Sequence, residues 1–146
     1  MSQERLAIPL TPDSIGPEWL TDVLRRSGAI EHAKVVSTQV QSVAAGSGFV
    51  GQAARLHVKY DSNEPGAPAT VFAKLASADR AVREKLRTVG LYATEAGFYR
   101  DVAVSKSFPM RVPRPYLSLY DEETAMSILL IEDLGGARFG DNVTGL

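Results

Sequence analysis

The spacing of apolar residues switches between a helical and an alternating period along the chain, and the switches outline an α+β domain. In residues 11–28, Trp19, Leu20, Val23 and Leu24 form one apolar face; Pro17 suits the first helical turn and Gly28 a stop. Residues 35–43 are rich in β-branched side chains and run into Gly46, Gly48 and Gly51, which predicts a strand ending in a glycine-rich turn. Ala54, Leu56, Val58 and Tyr60 then alternate with Arg55, His57 and Lys59, the period-2 signature of a half-exposed strand that closes a hairpin. Asn63, Pro65, Gly66 and Pro68 mark a turn, and residues 70–75 form a third strand. Asp79 opens a helical region with Val82, Leu86 and Val89 as one stripe, and Gly90 divides it from a second stripe of Tyr92, Ala96, Tyr99, Val102 and Ala103. Pro109, Pro113 and Pro115 impose an extended entry to a strand over 116–121, an acidic turn follows at 121–124, and residues 125–132 make a strongly apolar last strand. Strands grouped around one helical insertion predict an antiparallel sheet rather than a parallel βαβ array.

Composition narrows the classes. Cysteine is absent from the 146 residues, which removes a thiolate nucleophile, a cysteine zinc site and any disulfide framework. Sixteen basic against seventeen acidic residues give a net charge of -1, so no overall field draws the chain to nucleic acid or an anionic membrane, and neither is an expected partner. The longest aliphatic run covers only residues 128–131, far short of the ~20 apolar residues of a membrane-spanning helix. Residues 6–10 are a short apolar stretch broken by Pro9 and preceded by Glu4, unlike the basic start and apolar core of a signal peptide. The expected compartment is the cytoplasm.

The segment Gly46-Ser47-Gly48-Phe49-Val50-Gly51 matches G-x-G-x-x-G, a weak pattern that context must decide. A dinucleotide-binding loop needs a helix next, and here a strand follows. A Walker A loop needs Lys then Ser or Thr, and this chain has Gln52 and Ala53. What remains is a strand–glycine loop–strand flap whose backbone N–H groups can approach phosphate oxygens, or a hairpin whose glycines only permit a tight turn. The third strand adds a second observation. Val71, Ala73 and Leu75 share one face, leaving Thr70, Phe72 and Lys74 on the other, so Lys74 is an isolated cation in an apolar strand and needs an anionic partner. Phosphate under the flap supplies one, and a carboxylate from the following helix another. Glu95, with Phe98 and Tyr99 on its helical side, is the candidate, and Glu84 competes with it. At the end of the last strand, Glu132, Asp133 and Leu134 offer backbone groups for a purine edge.

In this order the residues resemble the aminoglycoside phosphotransferase and choline-kinase-like superfamily, particularly its ecdysteroid-kinase-like branch. The resemblance spans nearly the whole chain. It rests on Pro-Glu-Trp-Leu at 17–20, the glycine segment at 46–51, Ala-Arg-Leu-His-Val-Lys-Tyr at 54–60 and Pro-Ala-Thr-Val-Phe-Ala-Lys-Leu at 68–75. It continues in Glu-Ala-Gly-Phe-Tyr at 95–99, Val-Pro-Arg-Pro-Tyr at 112–116 and Leu-Leu-Ile-Glu-Asp-Leu at 129–134. It implies a protein-kinase-like N-lobe over residues 1–134, with a five-stranded, mostly antiparallel sheet, an N-terminal helix and a helical insertion between strands 3 and 4. Residues 135–146 would lead toward a C-terminal lobe.

By the same resemblance, Gly46, Ser47, Gly48, Phe49, Val50 and Gly51 cover the phosphates of ATP. Lys74 contacts the α- and β-phosphates, Glu95 orients Lys74, and the backbone of Glu132 and Leu134 holds adenine. Phe72 stands where protein kinases often have a small residue, and narrows the adenine pocket. The family's catalytic Asp and its acidic magnesium ligands follow a motif like H-x-D-x-x-x-x-N, and these 146 residues contain none. His32 and His57 read as surface or strand histidines, Asp141 as part of the connection onward, and no residue here as a metal ligand. The implied activity is transfer of the γ-phosphoryl group of ATP to the hydroxyl of a small-molecule acceptor, with Mg²⁺ held by the other lobe and this chain alone inactive. The alternative is a non-catalytic nucleotide-binding or self-associating module derived from such a lobe.

Overall fold

The computed structural model describes residues 6–43, 50–105 and 107–135. A 3₁₀ turn at Pro12–Ser14 precedes helix α1, Pro17–Arg26, whose first turn carries Pro17, where a missing N–H costs no hydrogen bond. Its end is closed by Gly28 at φ +71°, a left-handed conformation that favours glycine. Strands β1 (Val35–Ser42), β2 (Gly51–Tyr60) and β3 (Thr70–Ala76) follow. Helix α2, Arg80–Thr88, is capped by the Asp79 carboxylate, which accepts from the N–H groups of Ala81 and Val82. Gly90, at φ +67°, separates it from α3, Leu91–Gly97, which runs on into a π-helical turn, Phe98–Val102. Strands β4 (Pro115–Tyr120) and β5 (Ser127–Glu132) complete a five-stranded sheet of order β1-β2-β3-β5-β4. Every neighbouring pair is antiparallel. None of the described helices is long and apolar enough to cross a membrane.

Alternation gives the sheet two faces with different tasks. On one, Leu56, Val71, Ala73, Leu75, Ile128 and Leu130 are buried in a cluster with Ile15, Leu20, Val23 and Leu24 of the α1 region. Complete burial of a Leu or Ile side chain is worth about 1.5–3 kcal/mol, so this layer is the main source of stability. The other face carries Ala53, Lys74, Leu129 and Ser118 as directly opposed residues of four neighbouring strands. Helix α3 lies on that side, where the Ser118 hydroxyl donates to the carbonyl of Ala96 at 2.9 Å.

The apolar periodicity of the helical insertion does not hold throughout: Val102, on the second stripe, is 40% exposed. Val89 is 71% exposed, and the residue that α2 buries is Arg83. Its guanidinium donates to the carbonyls of Ser77 and Ala78, both at 2.9 Å, and of Thr124 at 3.2 Å. Carbonyls left over at the end of β3 and in the β4–β5 turn thus find one donor, a long-range requirement that a helical stripe does not register.

A carboxylate does similar work beneath β1. Glu64 accepts the N–H groups of Glu31, His32 and Ala33 at 2.5, 3.0 and 2.7 Å, and these bonds, led by that from Ala33, hold its pKa below the ordinary 4.5. A depressed folded-state pKa means a contribution that is complete above pH 4.5 and lost as pH falls through the lower folded value. Glu64→Gln is therefore expected to lower the urea midpoint at neutral pH and to flatten the decline of stability on the acid side. A variant with the wild-type midpoint and acid limb would remove Glu64 from that role.

Candidate functional site

Lys74 projects from β3 onto the α3 side of the sheet, and its ammonium forms an ion pair with the Glu95 carboxylate. Two placements produce the contact. The register sets Lys74 opposite Ala53 and Leu129, and α3 spans the same face with Glu95 on the side that meets the sheet. Glu84, the competing carboxylate, pairs instead with Arg87 of its own helix at 3.4 Å.

The pair borders a cavity of about 860 Å³ between α3 and the sheet. Its walls are mainly apolar, with Lys74 and Glu95 the only charged residues among the described lining. That size lies within the range of small-ligand pockets, roughly 300–1,000 Å³. An ammonium has three donors; Glu95 engages it, and capacity remains for an anionic ligand. Tyr99 also lines the cavity, and burial first, then the charge of Glu95, raises the pKa of its hydroxyl, so it stays a neutral donor.

Val50 and Gly51 border the same cavity, so the C-terminal end of the glycine segment and Lys74 share one space. Gly46, Ser47, Gly48 and Phe49 lie outside the described residues, as does the connection over 136–146. Gly51 has a packing reason of its own: a Cβ there would come within 2.6 Å of the Leu75 carbonyl oxygen, so β2 and β3 can approach only with glycine at this position. Tyr92, one helical turn before Glu95, donates its hydroxyl to the Val50 carbonyl and accepts the Ser77 N–H at 3.1 Å. One helix thus holds both the end of the glycine segment and the partner of Lys74. The apolar periodicity accounts for Tyr92 only as part of a stripe; its i−3 spacing from Glu95 is the signal for this second role.

No family model, curated protein or solved structure matches the chain. The chemistry of the site therefore rests on its own residues.

At the other end of the face, Phe72 lies opposite Arg55 and Ile131. Arg55 makes a two-point ion pair with Asp133, Nε to Oδ2 at 2.5 Å and Nη2 to Oδ1 at 3.1 Å. The hydrogen bond from Arg55 is the chief cause of a pKa at Asp133 below the ordinary carboxylate value, against the opposing effect of burial, and the same bond raises that of Arg55. Glu132 is fixed from the opposite side: its N–H donates to the Arg114 carbonyl at 2.8 Å, and its carboxylate accepts the Arg114 N–H at 3.2 Å. Leu134 is exposed beyond them. His57 bonds to Gln41 at 3.0 Å, and His32 lies at the surface beside Glu31. Among the described residues no three His, Asp or Glu groups gather as a metal site, and the one cavity carboxylate, Glu95, is engaged by Lys74, so these residues do not fit Mg²⁺.

The side chains of Lys74 and Glu95 remain 43% and 37% exposed, and pairs so wetted contribute little to stability, typically about 0–1 kcal/mol. A double-mutant cycle of Lys74→Met and Glu95→Gln, read by chemical denaturation, is expected to give a coupling below about 1 kcal/mol. A coupling of several kcal/mol would make the pair a structural element first.

Proposed function

We propose that this chain is the nucleotide-binding, kinase-like N-terminal lobe of an ATP-dependent small-molecule phosphotransferase. The observation that carries the reading is the half-exposed Lys74–Glu95 pair in a cavity that also meets the end of a G-x-G-x-x-G segment. An ammonium held by one carboxylate and still reachable from solvent is suited to a polyphosphate, whose negative oxygens supply the further acceptors. In this reading Lys74 grips the α- and β-phosphates and Glu95 fixes the direction of its Nζ. The glycine segment lies over the phosphates, and the backbone of Glu132 and Leu134 holds the adenine beside Phe72.

Transfer itself breaks the bond between the γ-phosphorus and its bridging oxygen and forms one to an acceptor hydroxyl oxygen, whose proton passes to a base. Its rate depends on positioning and on neutralising charge. These residues would position the donor. The base, Mg²⁺ and the acceptor site would belong to a second lobe, so the chain alone is expected to bind ATP without turning it over, and the cytoplasm, where ATP is made, is its proposed compartment. Exposed Val50, Val89 and Leu91 border the cavity and favour a second reading, a module that buries this rim by pairing with another copy of itself.

Titration calorimetry with ATP and Mg²⁺ separates the two. Binding that weakens by about tenfold or more, some 1.4 kcal/mol, in Lys74→Met and less in Glu95→Gln supports the nucleotide lobe. Undiminished affinity in Lys74→Met overturns it, and absence of binding together with a concentration-dependent dimer selects the second reading.

A further inference from the structure

The segment after β5 is pinned from both sides. On the β4 side Glu132 exchanges backbone and side-chain hydrogen bonds with Arg114. On the β2 side the carboxylate of Asp133, only 5% exposed, takes two hydrogen bonds from Arg55. The register puts Arg55 opposite Phe72, with Phe72 opposite Ile131, so Arg55 has to reach past β3 to meet a residue two positions beyond Ile131. Gly135 lies against the same guanidinium, since a Cβ there would come within 2.9 Å of Nη2. A planar fork held at two points fixes both distance and angle, which a single flexible contact does not.

The pair joins β2 to the residue after β5 across the width of β3. Core burial on the opposite face already supplies the apolar contribution, and a buried ion pair is weak evidence for net stabilisation because desolvation offsets its attraction. What the pair does determine is where the backbone of residues 132–134 stands relative to Phe72.

We infer that Arg55 and Asp133 are positioning residues for the base end of the site: their two-point ion pair sets the backbone of Glu132 and Leu134 at the spacing that receives a flat nitrogenous base against Phe72. The inference rests on the nucleotide reading above and adds to it a division of the face. Lys74 serves the phosphates and Arg55, through Asp133, serves the base. Alternating side chains on one face of a strand stand about 7 Å apart, so the two functions occupy successive positions of β3.

Two probes that share phosphates and differ in the base test it: ATP and inorganic tripolyphosphate, each titrated with Mg²⁺ into the full chain. Arg55→Met and Asp133→Asn are expected to weaken ATP by about tenfold or more and to leave tripolyphosphate within about twofold, whereas Lys74→Met weakens both. Arg55→Lys keeps the charge and loses the two-point grip, so it supplies the same comparison if the other variants do not fold, and it should show an intermediate loss for ATP alone. Unchanged ATP affinity in the Arg55 variants, or parallel losses for both ligands, overturns the inference while leaving the phosphate grip in place. Wild-type protein that holds tripolyphosphate as tightly as ATP does the same. A wild-type chain that binds neither ligand overturns the nucleotide reading itself, and this inference with it.

Discussion

The seating of α3 on the open face of the sheet is the constraint on which the rest of this site depends, because it brings Glu95 to Lys74 and leaves the cavity beside them. Lys74 lies between Ala53 and Leu129, neither of which can pair with it. The carboxylate that meets its half-exposed ammonium comes from another element, α3, which lies over this face close enough for Glu95 to reach. Three contacts keep it there. Ser118 bonds the Ala96 carbonyl, Tyr92 bonds the Val50 carbonyl, and the Ser77 N–H bonds the Tyr92 hydroxyl. Helix position, strand register and the end of the glycine segment are thereby fixed together, and the cavity is the space they leave.

The sheet could be read from the sequence because its signal is local. Val71, Ala73 and Leu75 alternate with Phe72 and Lys74, so the face of each was set by parity alone, and the structure buries the first set. Asp79 and Gly90 marked the start of α2 and its division from α3 for equally local reasons, a cap and a left-handed turn. What was not legible depends on which distant segments meet. Arg83 looks like a solvated helical residue until the carbonyls of 77, 78 and 124 converge on it. Arg55 looks like the exposed half of an alternating strand until the sheet order places the end of β5 within its reach. Val89 kept the apolar spacing yet lies at the surface beside the cavity, because the burial of α2 is dominated by a guanidinium rather than by its stripe.

The glycine segment shows why a motif match needs a reason for each residue. Gly51 is required by the approach of β2 to β3 whatever lies above the sheet, so its presence alone does not speak for phosphate. Val50 contributes differently, since its carbonyl is tied to α3 through Tyr92 and its side chain borders the cavity. The weight of the functional reading therefore moves from the glycines to Lys74 and Glu95, whose chemistry has no comparable packing explanation.

The two ion pairs on this face differ in a way that suits two different tasks. Lys74 and Glu95 are both wetted, so water already competes for their charges and their mutual attraction is small; a polyphosphate can add its oxygens to the ammonium without first breaking a strong bond. The Asp133 carboxylate is shielded at 5% exposure and the Arg55 side chain is 24% exposed, so losing Arg55 would leave a carboxylate charge largely away from water, and this pair keeps its geometry. A ligand with a charged, flexible end and a flat, rigid end needs that combination: an adaptable cation for the first and an unmoving backbone edge for the second. A nucleoside triphosphate, the ligand proposed above, has both ends.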